Sequence, residues 1–134
     1  MLIDWIPVLW KSDDWDWSYI LLIWAHKLKR QRECILRNSI IEDAQKVHDQ
    51  MKVCEDALRR LSADDYNSAG WIKHHEKWPF RIIRREDGSS YTPSMTDEEE
   101  VDFRALLAIE DAAREADEKL FMNTFLENYR GWWD

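Results

Sequence analysis

His74 and His75 stand side by side, and Cys34 and Cys54 are the two thiols of a 134-residue chain. Metal, acid–base or nucleophilic chemistry would be built from these groups. Neighbouring residues on a helix point about 100° apart, so a metal shared by the two histidines needs ligands from elsewhere. The chain holds no Cys-x-x-Cys, His-x-x-x-His, His-Glu-x-x-His or Glu-x-x-His pattern to supply them. Cys54 falls on an apolar stripe, where burial raises a thiol's pKa and silences it, and no residue nominates itself as a base for either cysteine. Gly70, Gly88 and Gly131 are the only glycines, and none opens a helix after a strand to cradle a phosphate. The reading is a non-enzyme without cofactor or metal. An enzyme would require a cleft that sets His74 or His75 against a carboxylate.

Charge supplies the second kind of candidate. Residues 20–38 sum to +4, residues 69–90 to +2 and residues 96–134 to −8, and the whole chain to −8. Such an acidic total opposes indiscriminate binding to duplex DNA. Lys27, Arg30, Arg32, Arg81, Arg84 and Arg85 are the candidate anion-binding residues, with a phosphorylated nucleotide as ligand. The plainer alternative pairs these cations with the acidic C-terminal helix as ordinary surface charge. That helix, in turn, could imitate a nucleic-acid backbone. Nine tryptophans are a heavy load of a residue enriched at binding hot spots. Trp5, Trp10, Trp15, Trp132 and Trp133, near the ends, are the interface candidates, unless they staple the chain ends to their own domain; Trp24 is expected in the core.

The elements that must position these residues are helical. Three glycines and three prolines with 45% apolar and 34% charged residues exclude a turn-rich sandwich, a collagen and a disordered chain. Residues 1–12, with Trp5, Ile6, Val8, Leu9 and Trp10 around Pro7, read as an apolar arm. Asp13, Asp14 and Asp16 can cap a first helix running from about Asp14 to Arg37 on the stripe Trp17, Ile20, Leu21, Trp24, Leu28, Ile35. Ser39 and Glu42 form a capping box for a second helix. Its seam of Ile40, Ala44, Val47, Met51, Cys54, Leu58 and Leu61 alternates steps of four and three, the spacing of a bundle or coiled-coil interface. A third helix is predicted over Asp64–Lys77, bent at Gly70 and closed by Pro79. Residues 79–95 read as an irregular loop with room for one small hairpin. Thr96 and Glu99 form another capping box, opening a helix of about 33 residues. Its stripe is Phe103, Leu106, Ile109, Ala113, Ala116 and Leu120, widened by Phe121, Phe125, Leu126 and Tyr129.

The sum is a single all-α domain over residues 1–134: a helical hairpin, a short third helix and a long C-terminal helix in a small bundle. The longest apolar run, Tyr19 to Ala25, is far short of the ~20 residues that cross a bilayer, so no membrane partner is expected. The N-terminus carries Asp4 and Pro7 where a secretory signal would be apolar. The two cysteines are expected as buried free thiols in a reducing cytoplasm. The heptad seam could serve a homodimer as well as the internal hairpin.

The run Asp14-Trp15-Asp16-Trp17-Ser18-Tyr19-Ile20-Leu21, with Lys27-Leu28-Lys29-Arg30, His75-Glu76-Lys77-Trp78 and the terminal Trp132-Trp133-Asp134, resembles small tailed-bacteriophage proteins. Those proteins begin with an acidic-aromatic run and stop at Trp-Trp-Asp. The likeness touches both ends and one central segment, about a third of the chain. Pro79 replaces the glycine usual after the Lys-Trp pair, and the apolar arm is additional. The resemblance implies viral origin and a host-cell cytoplasm. The expected function is a non-enzymatic viral binding protein that inhibits or redirects a host or host-defence protein. Sequestration of a phosphorylated nucleotide and nucleic-acid mimicry are the alternatives.

Overall fold

The computed structural model describes residues 17–38 and 42–132. The protein is all-α: α1 is Trp17–Asn38, α2 Ala44–Ala63, α3 Ser68–Lys77 and α4 Asp97–Asn128, followed by a 3-10 turn, Tyr129–Trp132. A two-residue antiparallel pair, β1 (Ile83–Arg84) and β2 (Ser90–Tyr91), with Ile83 opposite Tyr91, interrupts the helices. The chain forms two compact units, one from residues 1–65 and 114–134 and the other from residues 66–113. The apolar arm (residues 1–12), the expected capping acids Asp13, Asp14 and Asp16, and Trp133-Asp134 lie outside the described residues, as do Ser39 and Ile40.

Unit 1 is built on one face of α2. Val47, Met51, Cys54, Leu58 and Leu61 are all buried, together with Ala57, so the heptad seam is spent within the chain. Ala25, Leu28 and Ile35 of α1 close one side of this core, and Phe121 and Trp132 complete it. The Cys54 thiol reaches the Phe121 carbonyl at 3.9 Å. The start of α2 differs from expectation. It begins at Ala44 with Asp43 as N-cap and no side-chain capping bond, five residues beyond Ser39. Its end is a left-handed Asp64 (φ 48) whose backbone N–H donates to the Arg60 carbonyl at 3.0 Å. A short polar side chain tolerates that conformation. The Asp64 carboxylate also accepts from Arg114 Nε and Nη2 at 3.0 and 2.8 Å.

Charged groups are buried beside this core. Glu55 is 4% exposed, and its two oxygens are divided between Arg32 Nε (2.7 Å) and Arg59 Nε (2.8 Å). Arg32 Nη1 also donates to His48 Nε2 at 2.8 Å. That nitrogen must accept, so the ring proton sits on Nδ1 and goes to Asp49 Oδ1 at 2.9 Å. The chain Asp49–His48–Arg32–Glu55–Arg59 bolts α1 to α2.

In unit 2, α3 meets the first half of α4 where Trp71 and His74 face Phe103, and Arg81, ahead of the hairpin, pairs with Glu99. Helix α3 begins at Ser68 rather than Asp64, because Asp64 is committed to capping α2. It runs through Gly70, where a Cβ would collide with the Asn67 side chain, and Pro79 follows its end. The Thr96–Glu99 capping box forms as the sequence predicts: the Glu99 N–H donates to Thr96 Oγ1 (3.2 Å) and the Thr96 N–H to Glu99 Oε2 (3.4 Å). Residues 79–95 hold the two-residue hairpin, turned at Gly88 (φ 84). Its apolar side chains Phe80, Ile82, Ile83 and Tyr91 are exposed.

The stripes of α1 and α4 both differ from expectation, and on α1 Trp17 and Ile20 are exposed as well as Trp24. Trp24 is 48% exposed because the aromatic cluster it joins lies at the edge of the α2 core, not beneath it. On α4, Ile109, Leu120 and Leu126 face outward, while Glu99, Asp117 and Phe121 are buried. Arg60 takes Asp117 in a fork, Nε to Oδ2 at 2.9 Å and Nη2 to Oδ1 at 2.6 Å, and this pairing turns a charged residue inward.

Removing one member of a buried ion pair strands the other and costs about 3–5 kcal/mol, whereas removing both can be nearly neutral. Glu55→Leu is therefore expected to lower unfolding free energy by about that much, and adding Arg32→Met to recover most of it, both read from denaturant midpoints. A single-variant loss as small as that of a surface pair, ~1 kcal/mol or less, would contradict the buried role.

Candidate functional site

At the edge of the unit 1 core lies a half-enclosed apolar notch of about 160 Å³, lined by Trp24, Lys27, Leu28, Gln31, Phe121, Phe125 and Trp132. Helical spacing makes its walls. Trp24, Lys27, Leu28 and Gln31 are neighbours at steps of three and four along α1, and Phe121 and Phe125 are one turn apart on α4. After α4 the chain continues in the 3-10 turn Tyr129–Trp132, which sets Trp132 against α2, where its indole N–H donates to Gln50 Oε1 at 3.1 Å. Gln50 Nε2 in turn donates to Asn128 Oδ1 at 2.7 Å. The aromatic walls brace one another. Trp24 lies 5.8 Å from Phe121 and 6.2 Å from Phe125, and Phe125 stacks on Tyr129 at 5.2 Å and meets Trp132 edge-on at 5.7 Å.

An apolar cavity of roughly 150 Å³ accepts a benzene-sized group, and sites for whole small molecules run to about 300–1,000 Å³. The notch is therefore matched to a single apolar side chain and is too small for a nucleotide. Lys27 and Gln31 at its rim can meet polar groups beside such an anchor.

The sequence candidates distribute differently from expectation. Trp132 is 2% exposed; it staples the C-terminal segment onto its own core instead of serving as an exposed anchor. Trp5, Trp10, Trp15 and Trp133 lie outside the described residues. Among the cations, Lys27, Arg30 and Arg32 belong to unit 1 and Arg81, Arg84 and Arg85 to unit 2. Arg32 is committed to Glu55 and His48, and Arg81 Nη2 is held by Glu99 Oε2 at 2.8 Å. Arg84 and Arg85 are exposed, with the Arg85 guanidinium 4.8 Å from the Tyr91 ring. Another hollow of unit 1, about 680 Å³, has Glu42, Asp43 and Asp49 in its lining against Lys46, a balance that repels a phosphate.

The acidic helix is also put to internal use. Glu110 accepts from the Trp71 indole (2.6 Å), Asp102 from Lys77 (2.6 Å) and the Trp78 indole (2.9 Å), and Glu100 pairs with Arg104. The bond from Lys77, then that from Trp78, holds the Asp102 carboxyl below its ordinary range. The sequence anticipated pairing of these acids with the basic side chains, but the two indoles lie 39 and 24 positions from the carboxylates they meet, and nothing local signalled those bonds.

His74 and Asp102 line a common hollow of unit 2, but no hydrogen bond joins them. Among the described residues no group of three His, Cys, Asp or Glu side chains is placed to hold a metal ion, and no helix is long and apolar enough to cross a membrane. Both thiols are free: Cys54 is buried as expected, whereas Cys34 is exposed and accepts a bond from Asn38 Nδ2 at 3.2 Å. No family model, curated protein or solved structure matches the chain.

Burial pushes the Cys54 thiol from its ordinary 9.0 to about 11. The folded protein keeps a proton that the unfolded chain sheds, so this contribution to stability is complete below pH 9.0 and falls as pH rises toward about 11. At neutral pH a soluble thiol reagent should label Cys34 rapidly and Cys54 only after denaturation, as resolved by peptide mass spectrometry. Equal labelling rates in the native protein would contradict the buried position.

Proposed function

We propose that this chain is a non-enzymatic binding protein, which engages a partner protein by receiving one aromatic or branched aliphatic side chain in the notch of unit 1. The observation that carries the reading is the notch itself: a recess sized for one side chain, walled by Trp24, Leu28, Phe121 and Phe125, with Trp24 half-exposed at its mouth. Binding energy at protein interfaces concentrates in pockets of this kind, filled by a single anchor and ringed by contacts that exclude water. Lys27 at the rim favours a partner segment with an acid near its anchor, which steers encounter more than it adds affinity. The resemblance to tailed-phage proteins directs the reading to a host or host-defence protein that is inhibited or redirected in the host cytoplasm. Nucleotide sequestration is less favoured, because Arg32 and Arg81 are already ion-paired.

A photo-reactive residue at Gln31 tests the reading in host cells. It should give a discrete protein adduct that Trp24→Ala diminishes by at least about tenfold, the equivalent of one modest hot spot. Failure to form any adduct, or adducts indifferent to Trp24→Ala in a variant shown to be folded, would overturn it.

A further inference from the structure

Unit 2 contains a hollow of about 300 Å³ walled by Gly70, Lys73, His74 and Lys77 of α3 and by Asp102, Ala105 and Leu106 of α4. His74 is 8% exposed, and among the described residues neither of its ring nitrogens has a hydrogen-bond partner. Aromatic rings crowd it: Trp71 at 5.7 Å, His75 at 5.7 Å and Phe103 at 6.0 Å. A neutral imidazole carries one donor and one acceptor, and each left unpaired in a buried position costs about 1–3 kcal/mol. A native fold that retains such a group calls for an explanation.

The neighbouring charges supply one. Lys73 and Lys77 are four residues apart on one helix face, a like-charge spacing that is itself mildly unfavourable. The Lys77 ammonium is partly neutralised by Asp102 Oδ2 at 2.6 Å, and the same oxygen takes the Trp78 indole N–H. Lys73 enters no ion pair among the described residues. The hollow therefore offers a solvated ammonium free of any ion pair, an imidazole with unused hydrogen-bonding capacity, and the apolar side chains of Ala105 and Leu106.

We propose that this hollow is a binding site for a compact oxyanion, phosphate or carboxylate, carried by a small ligand: Lys73 supplies the charge and the His74 ring a directional N–H, while Lys77 holds the Asp102 carboxylate that lines the hollow. Its volume is at the lower limit for small-molecule sites, which selects a ligand of few heavy atoms rather than a nucleotide. The site is additional to the protein-binding notch and shares no residue with it.

Ring-nitrogen NMR of His74 tests this, with inorganic phosphate, acetate and chloride titrated separately at matched ionic strength. The site predicts a saturable shift with phosphate or acetate and none with chloride, the stronger of the two naming the oxyanion. Lys73→Gln, at an exposed position, should weaken binding about tenfold, the loss of one charge-assisted bond. His74→Phe should fold, since it removes an unpaired polar group, and should abolish saturable binding measured by calorimetry. No saturable shift with either oxyanion, an equal response to chloride, or unchanged affinity in Lys73→Gln would each overturn the proposal.

Discussion

The burial of one face of α2 organises unit 1. Val47, Met51, Cys54, Leu58 and Leu61 form a line that no single neighbour covers. Helix α1 takes one flank with Ala25, Leu28 and Ile35, while Phe121 and the returning Trp132 take the rest. Because these cover groups come from separate segments, they meet imperfectly at their common edge. The gap between Trp24, Leu28, Phe121 and Phe125 is the notch. Its shape is therefore a consequence of core packing, and its rigidity follows from the same close-packed side chains.

Electrostatics refines that packing. Glu55 and Asp117 are acids placed where periodicity would put apolar residues, and each is matched by arginine: Glu55 by Arg32 and Arg59, Asp117 by Arg60. Buried charges of this kind add little net stability over an apolar replacement, but they penalise any register in which the partners do not meet. Within unit 2 the same economy recurs, with the carboxylates of α4 receiving the Trp71 and Trp78 indoles and the Lys77 and Arg81 side chains. The acidic character of the C-terminal helix is thus partly structural, which weakens the case for nucleic-acid imitation.

The parts of the fold legible in the sequence were those written in local spacing. The α2 seam, the buried Cys54, the Thr96–Glu99 capping box and the stop before Pro79 all depend on residues within one or two turns of each other. What escaped depends on distant partners. Trp24 carries the spacing of a core residue, yet its exposure is decided by where Phe121 and Phe125 end. The inward turn of Asp117 is decided by Arg60, 57 positions earlier. The start of α2 escaped for a related reason, since a capping box at Ser39 and Glu42 is only one of several ways to begin a helix and the chain begins it at Ala44. The notch had no linear signature, because its walls are drawn from two helices and a terminal turn. The candidate oxyanion site was half visible as His74 between two lysines; the hollow that gives them meaning comes from α4.

Recognition through unit 1 requires the notch to be a preformed recess for one apolar side chain. Titration with toluene, followed by the Leu28 methyl and Trp24 indole signals in NMR spectra, measures this directly. A preformed recess predicts a saturable shift confined to the notch-lining residues, with the rest of unit 1 unmoved. Signals that stay fixed, or that drift linearly across the whole unit, would mean that the edge of the core is closed and that recognition lies elsewhere.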